Sequence, residues 1–501
     1  MNYLIASDEI CLYWEKPEFE EGQKVIYHIL VNGKEIGRTE KTHYTLMNLE
    51  PETVYEIEVI MCSNENDKTS ESFWRESLQT QKQKKIIDVT QAPYCAVGDG
   101  KTMNTQALQK AFDDCKVDEM VYLPEGIYMT GTLRMHSNME LYLAENAVLQ
   151  GTDVVEDYLP RIKSRFEGLE MECYSSLLNL GELDHTSGYN CENVVIRGKG
   201  TIASGGRTLA ERVIESEREK LKDYLTSLGD KLGEYEKPET IPGRVRPRLI
   251  NMSNARNIRL SDVTLKHGAS WNVHMIYSDS IVTNNCTFHS VGVWNGDGWD
   301  PDSSTNCTIF NCTFYTHDDS IAIKSGKNPE GNVINRPTEH IRIFDCRSMR
   351  GLGIAMGSEM SGGIRDVKIW DCDLSGTIYG VEIKGTKKRG GFVRDVHVRD
   401  CIMPRIMFHS VGYNDDGIGA LVPPVFEQCS FRNIYLSGKY QDHDSNWHTC
   451  DAIELRGFNV QGHYLTDILF ENIQIESDED GSYHISMKYC NKISLKNISC
   501  V

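Results

Sequence analysis

The sequence predicts a mainly β protein: a parallel β-helix, that is, a solenoid of stacked coils, preceded by a small β-sandwich. Three observations carry this prediction. Short period-two patterns fill residues 1–80. From Val121 onward, β-rich units recur every 25 to 35 residues with almost no helix between them. An Asn-Cys or Asp-Cys pair marks the same point in successive units. Repetition at such a period without helices indicates stacked coils.

In the first segment, residues 1–80, Ile10, Leu12 and Trp14 alternate, as do Val25, Tyr27, Ile29 and Val31, and Tyr55, Ile57 and Val59. Alternation of this kind marks half-buried strands, and Val31-Asn32-Gly33-Lys34 reads as a hairpin turn. Leu49-Glu50-Pro51-Glu52-Thr53-Val54-Tyr55 resembles the tyrosine-corner segment of fibronectin type III domains. No catalytic constellation appears here, so a spacer or docking module is expected.

Residues 81–87 read as a polar linker, and the second domain spans residues 88–501. The segment Thr105 to Cys115 places Ala107, Leu108, Ala111, Phe112 and Cys115 on one helical face. Val121-Tyr122-Leu123-Pro124-Glu125-Gly126 opens the strand series. The cysteine steps from Cys286 through Cys312, Cys346 and Cys372 to Cys401 are 26, 34, 26 and 29, and Cys429 follows 28 later. Coils stack at about 4.8 Å, so equivalent side chains form ladders and these cysteines should line one corner. No WD or kelch signature supports a propeller. Residues 208–232 break the pattern, being rich in helix formers and charges; a helical insertion in a long loop is expected there, mostly a solvated face that could also wall one end of a cleft.

Composition narrows the function. The 501 residues carry 53 Lys+Arg and 73 Asp+Glu, a net charge of −20. That balance argues against nucleic acid, which needs clustered cations. No run of about 18 apolar residues exists, so no membrane-spanning helix is expected. The 16 cysteines form no CxxC pair, which weakens zinc and favours reduced, buried thiols. The N-terminus lacks the basic and apolar regions of a secretory signal, which favours a cytoplasmic enzyme acting on imported fragments. Nothing in the sequence sets the oligomeric state.

Two segments carry chemistry: Trp294-Asn295-Gly296-Asp297-Gly298-Trp299-Asp300-Pro301-Asp302 and His317-Asp318-Asp319-Ser320-Ile321-Ala322-Ile323-Lys324. Asp297 and Asp318 are 21 residues apart, about one coil, so they should sit on adjacent coils of one face. Carboxylates this close cannot all ionise normally, which yields a proton donor beside bases, the division of labour that glycoside hydrolysis needs. Two other readings of the same residues are turn-capping aspartates and a calcium site at Asp297, Asp300 and Asp302, although the spacing does not follow the calcium-loop pattern.

From about Asp88 to the C-terminus the chain resembles the family-28 glycoside hydrolases, the polygalacturonase family. The opening motifs are Asp88-Val89-Thr90 with Gly98-Asp99-Gly100-Lys101, and Leu123-Pro124-Glu125-Gly126-Ile127-Tyr128. Asn295-Gly296-Asp297-Gly298 resembles the family's Asn-Thr-Asp-Gly motif, and Asp318-Asp319-Ser320 its double-aspartate motif. Gly357-Ser358-Glu359-Met360-Ser361-Gly362-Gly363 follows its Gly-His-Gly region, and Gly380-Val381-Glu382-Ile383-Lys384 sits where Arg-Ile-Lys falls. The resemblance implies a right-handed parallel β-helix and inverting hydrolysis of α-galacturonide bonds. Asp318 would be the general acid, Asp297 and Asp319 would hold and deprotonate the water, and no metal or other cofactor would be required. Lys384 would hold a substrate carboxylate, and Asn295, Lys324, Glu382 and His317 complete the candidate substrate-binding set.

The chain departs from the family pattern twice. It reads Gly351-Leu352-Gly353 where the family has a histidine, and Glu382 where it has an arginine. A glutamate facing a uronate would repel it unless Lys387-Lys388-Arg389 compensates, and His317 is a candidate replacement for the missing imidazole. The expected function is therefore exo-acting hydrolysis of pectic oligosaccharides, the added first domain and the insertion closing one end of the cleft. The alternatives are a hydrolase of branched pectin (rhamnogalacturonan or xylogalacturonan), a β-helix pectate lyase, and a non-catalytic carbohydrate-binding protein.

Overall fold

A computed structural model describes residues 1–18, 25–62, 72–477 and 482–501. Parts of the expected first domain (19–24, 63–71) and of the second (478–481) lie outside the described residues. The chain divides into two compact units, Met1–Ile86 and Ile87–Val501. The segment expected as linker ends in a short strand, Lys85–Asp88.

The first unit holds two antiparallel sheets. One orders Asn2–Ile5, Glu9–Tyr13 and His43–Met47. The other orders Lys34–Thr39, Ile26–Val31, Val54–Cys62 and Ser72–Gln79. The inward halves of the alternating patterns meet in one core of Ile10, Leu12, Trp14, Tyr27, Ile29, Ile57 and Val59. Trp14 meets Tyr27 edge-on at 4.9 Å, a favourable aromatic arrangement. Glu50 N–H donates to the Tyr55 hydroxyl at 2.8 Å, tying the chain to itself at the sheet corner.

The second unit is a parallel β-helix. Each strand pairs in parallel with its counterpart one coil later: Val273–Ile276 lies on Trp299–Asp302, which lies on Ile321–Ile323, and so on to Ile485–Lys488. Side chains alternate inward and outward, and the inward rows of Ile, Leu, Val and Phe make one continuous core. The repeated Asn/Asp-Cys pair has a physical cause. Asn285, Asn311, Asp345, Asp371 and Asp400 all have φ between 48° and 55°, a left-handed corner that Asn and Asp tolerate. The cysteine that follows turns inward at each corner, and Cys286 N–H points at Cys312 Sγ at 3.4 Å. The ladder ends at Cys401, because Ile434 stacks on Cys401 and Cys429 pairs instead with Val396 and Ile468. No disulfide joins any of the 16 cysteines. Beside them, Phe310, Phe344 and Trp370 stack at 4.8 and 4.4 Å.

The helix Thr105–Asp114 buries Leu108, Ala111 and Phe112, while Ala107 is only partly buried. Its Gln109 exchanges hydrogen bonds with the Arg134 backbone (2.9 and 3.0 Å), which satisfies an otherwise open strand edge. The insertion is longer than 208–232: helices Gly206–Lys220 and Lys222–Leu228 are followed by a 3-10 helix, Gly229–Glu234, and a short helix, Thr240–Gly243. Its first helix is not wholly solvated. Leu209, Ala210, Val213 and Ile214 are buried, and the buried carboxylate of Glu217 is satisfied by Tyr174 (3.0 Å), Lys220 (2.8 Å) and Arg161.

Candidate active site

The site lies on the outward face of the sheet that contains Trp299–Asp302 and Ile321–Ile323. In Trp299–Asp302, alternation turns Trp299 into the core and Asp300 and Asp302 outward. The turns that precede these strands stack: Gly298 N–H donates to Asp319 O at 3.0 Å, and Leu352 N–H to Asp318 O at 3.0 Å. Asp297 is thus level with Asp319 one coil away, and Asp319 in turn with Leu352 in the coil after. The Asp318-Asp319 pair occupies the corner itself, so both line one pocket.

That pocket has a volume of about 270 Å³. It gathers Asp297, Asp318, Asp319, Asn295, Lys324, Glu382 and Lys384, with Leu352 beside Asp318. His317 is not among its lining residues. Its ring stacks on His443 at 4.4 Å, and burial lowers the pKa of both imidazoles.

Two buried lysines organise the carboxylates. Lys324 Nζ is 3.1 Å from Asp297 and 3.1 Å from Asp300, and sits 3.6 Å above the Trp271 ring. Lys384 Nζ is 3.4 Å from Asp319 and 2.7 Å from Glu382. Burial pushes Asp319 up to about 8 and Asp297 well above the ordinary carboxylate range, with the lysines pulling the other way. Burial likewise holds Asp300 at about 7. In contrast Asp302 turns away to Arg165 (2.7 Å) and His274 (3.3 Å), which hold it below the usual range against the cost of burial. Asp297, Asp300 and Asp302 therefore do not converge as calcium ligands would, and the Lys324 ammonium lies between the first two.

Asn295 adopts φ 50° and its side-chain oxygen accepts from Arg246 at 2.6 Å. Arg246 is itself fully buried against Trp294 at 4.4 Å. Glu382 does not face the pocket as a bare anion: Lys384 and His409 both bond it, and these partners draw its pKa down despite burial. The basic run that follows serves elsewhere. Arg389 is buried and donates to Ser358 O, Asn328 and Asn414 O at 2.9, 2.7 and 2.7 Å.

One end of the pocket is closed. Glu167, at the tip of the hairpin Ile162–Phe166 and Leu169–Cys173, accepts from Arg244 at 2.8 Å and from Asn414 at 3.1 Å. Arg244 also pairs with Asp416 at 2.9 Å, and Lys327 bonds Asn414 at 3.0 Å. Four separate segments are thus locked by buried charge-assisted bonds, with Glu236 from the insertion also lining the pocket. Sequence reasoning missed Trp271, Glu359, Tyr379, His409, Tyr413 and this wall. Two left a signal: Glu359 lies in the family-like segment Gly357–Gly363, and His409 stands two positions after Met407 at the outward-facing period of its strand.

The arrangement (paired buried carboxylates, lysines between them, and one closed end) suits acid–base attack on a sugar linkage. Residues 179–413 match the family described as Glycosyl hydrolases family 28. A probable polygalacturonase of Vitis vinifera is 30% identical over 399 residues, 77% of this chain and 69% of that protein. An exo-poly-alpha-D-galacturonosidase of Dickeya chrysanthemi is 26% identical over 440 residues, covering 83% and 71%. In fold, the chain is similar to a family 28 exopolygalacturonase of Yersinia enterocolitica, with a TM-score of 0.81, 21% identity and coverage of 99% and 96%. The family match and the 30% identical relative place this chain in glycosyl hydrolase family 28.

Proposed function

We propose that this glycosyl hydrolase removes terminal galacturonate from pectic oligosaccharides by an inverting, exo-acting mechanism. The carrying observation is the pocket closed at one end by the Glu167–Arg244–Asp416 network beside the carboxylates. A chain terminus fits such a pocket, whereas a chain passing through it does not. The names of the Dickeya and Yersinia proteins support the same mode.

In the reactive state the three carboxylates are coupled. Lys324 and Lys384 favour the charged forms of Asp297 and Asp319 against the cost of burial, and the family resemblance assigns the donated proton to Asp318. Asp318 gives that proton to the glycosidic oxygen. Asp297 and Asp319 hold the water and accept its proton as it attacks the opposite face of the sugar. Lys384, anchored by Glu382, receives the carboxylate of the leaving sugar as a point charge. The test is product analysis on unmethylated oligogalacturonates: one terminal product of fixed size from the first time point supports the reading, and an early ladder of internal fragments contradicts it.

For the first unit we propose a fibronectin type III-like module. Its sheets of three and four antiparallel strands and the Glu50–Tyr55 bond support this reading. Sixteen cysteines without a disulfide favour work in a reducing compartment.

A further inference from the structure

The sheet that carries the pocket does not stop at Lys384. In register, Lys384 lies beside His409, His409 beside Arg456, and Arg456 beside Lys488, one residue from each successive coil. All four point outward, because each is two positions on from the outward-facing Glu382, Met407, Glu454 and Ser486. The row runs into the later coils and emerges as it goes. The side chains of Lys384, His409 and Arg456 are 8%, 20% and 59% exposed, and Lys488 is exposed.

The acids beside this row are buried and compensated. Glu382 is held by Lys384 and His409. Glu454 is held by Arg456 at 2.6 Å and by Arg405 at 3.8 Å. What the strip presents to solvent is therefore positive, on a protein whose net charge is −20. Each rung advances about 4.8 Å, close to the length of one pyranose unit in a chain.

We infer that Lys384, His409, Arg456 and Lys488 form a basic track that holds the carboxylates of successive uronate units on the leaving side of the cleaved bond. This rests on the exo reading, which puts the chain terminus against the wall and sends the rest of the chain along the open sheet. The track ends with the strand Ile485–Lys488, so the benefit of a longer chain saturates once it passes Lys488.

The experiment measures kcat/KM on oligogalacturonates from two to seven units for the wild type, for R456Q/K488Q, and for the charge-keeping R456K/K488R. In the wild type kcat/KM climbs with length and then levels off. The glutamine variant loses about tenfold on the longest substrates and progressively less on shorter ones, consistent with two exposed charge contacts. The charge-keeping variant retains the climb, and 0.5 M salt flattens the wild type by screening. Equal thermal melting of the three proteins keeps folding out of the comparison. An equal loss at every length, or none at any length, overturns the track. A wild type that cleaves no galacturonide of any length overturns the exo reading and the track with it.

Discussion

Lys384 Nζ lies 2.7 Å from a carboxylate oxygen of Glu382, and the same lysine reaches Asp319 at 3.4 Å. Glu382 stands where a family arginine is expected, and a bare glutamate there would repel a uronate. Paired with Lys384 and His409 it instead fixes two cations that the substrate meets. Glu382→Ala leaves both short of their counter-charge in a buried site. We expect a loss of about 3 kcal/mol in unfolding free energy and a raised KM, read by denaturant melts and kinetics. Glu382→Gln, which retains the shape, should cost less in stability while still raising KM.

Asp319 gives a pH signature. Its folded value of about 8 exceeds its ordinary 3.8, so the native state holds a proton that the unfolded chain releases. The associated stability is fully present below about pH 4 and is lost as pH rises toward 8. Asp319→Asn lacks this dependence. Its stability relative to the wild type should therefore grow between pH 4 and 8, by about 1 kcal/mol or more, in melts run across that range. A constant difference would show that Asp319 titrates normally.

The wall can be opened by one methyl-scale change. A Cβ on Gly168, at φ +76°, would lie 2.5 Å from the backbone nitrogen of Lys327, so only glycine lets the hairpin tip close on that loop. Gly168→Val should cost about 2 kcal/mol and release internal cleavage products that the wild type does not make. Chromatography of early products checks this.

Much of this was legible because the β-helix writes its geometry into the sequence. The Asn/Asp-Cys pairs mark left-handed corners, and Asp297 and Asp318–Asp319 fall one coil apart by simple counting. The cysteine count misled at the end: Cys429 follows Cys401 by an ordinary interval, yet the register seats Ile434 on Cys401 and Cys429 on Val396. His317 also misled, since nothing local announces that His443, more than a hundred residues on, will stack upon it. The wall was invisible for the same reason. Glu167, Arg244, Lys327 and Asp416 are ordinary loop charges until four segments bring them together.

The central claim is inverting hydrolysis with Asp318 as the acid. Proton NMR of the first-formed product from an oligogalacturonate tests it most directly. The account predicts that the new reducing end appears as the β-anomer before mutarotation, and that Asp318→Asn lowers kcat by about a thousandfold with the fold intact. Initial release of the α-anomer, or near-normal turnover by Asp318→Asn, would contradict it.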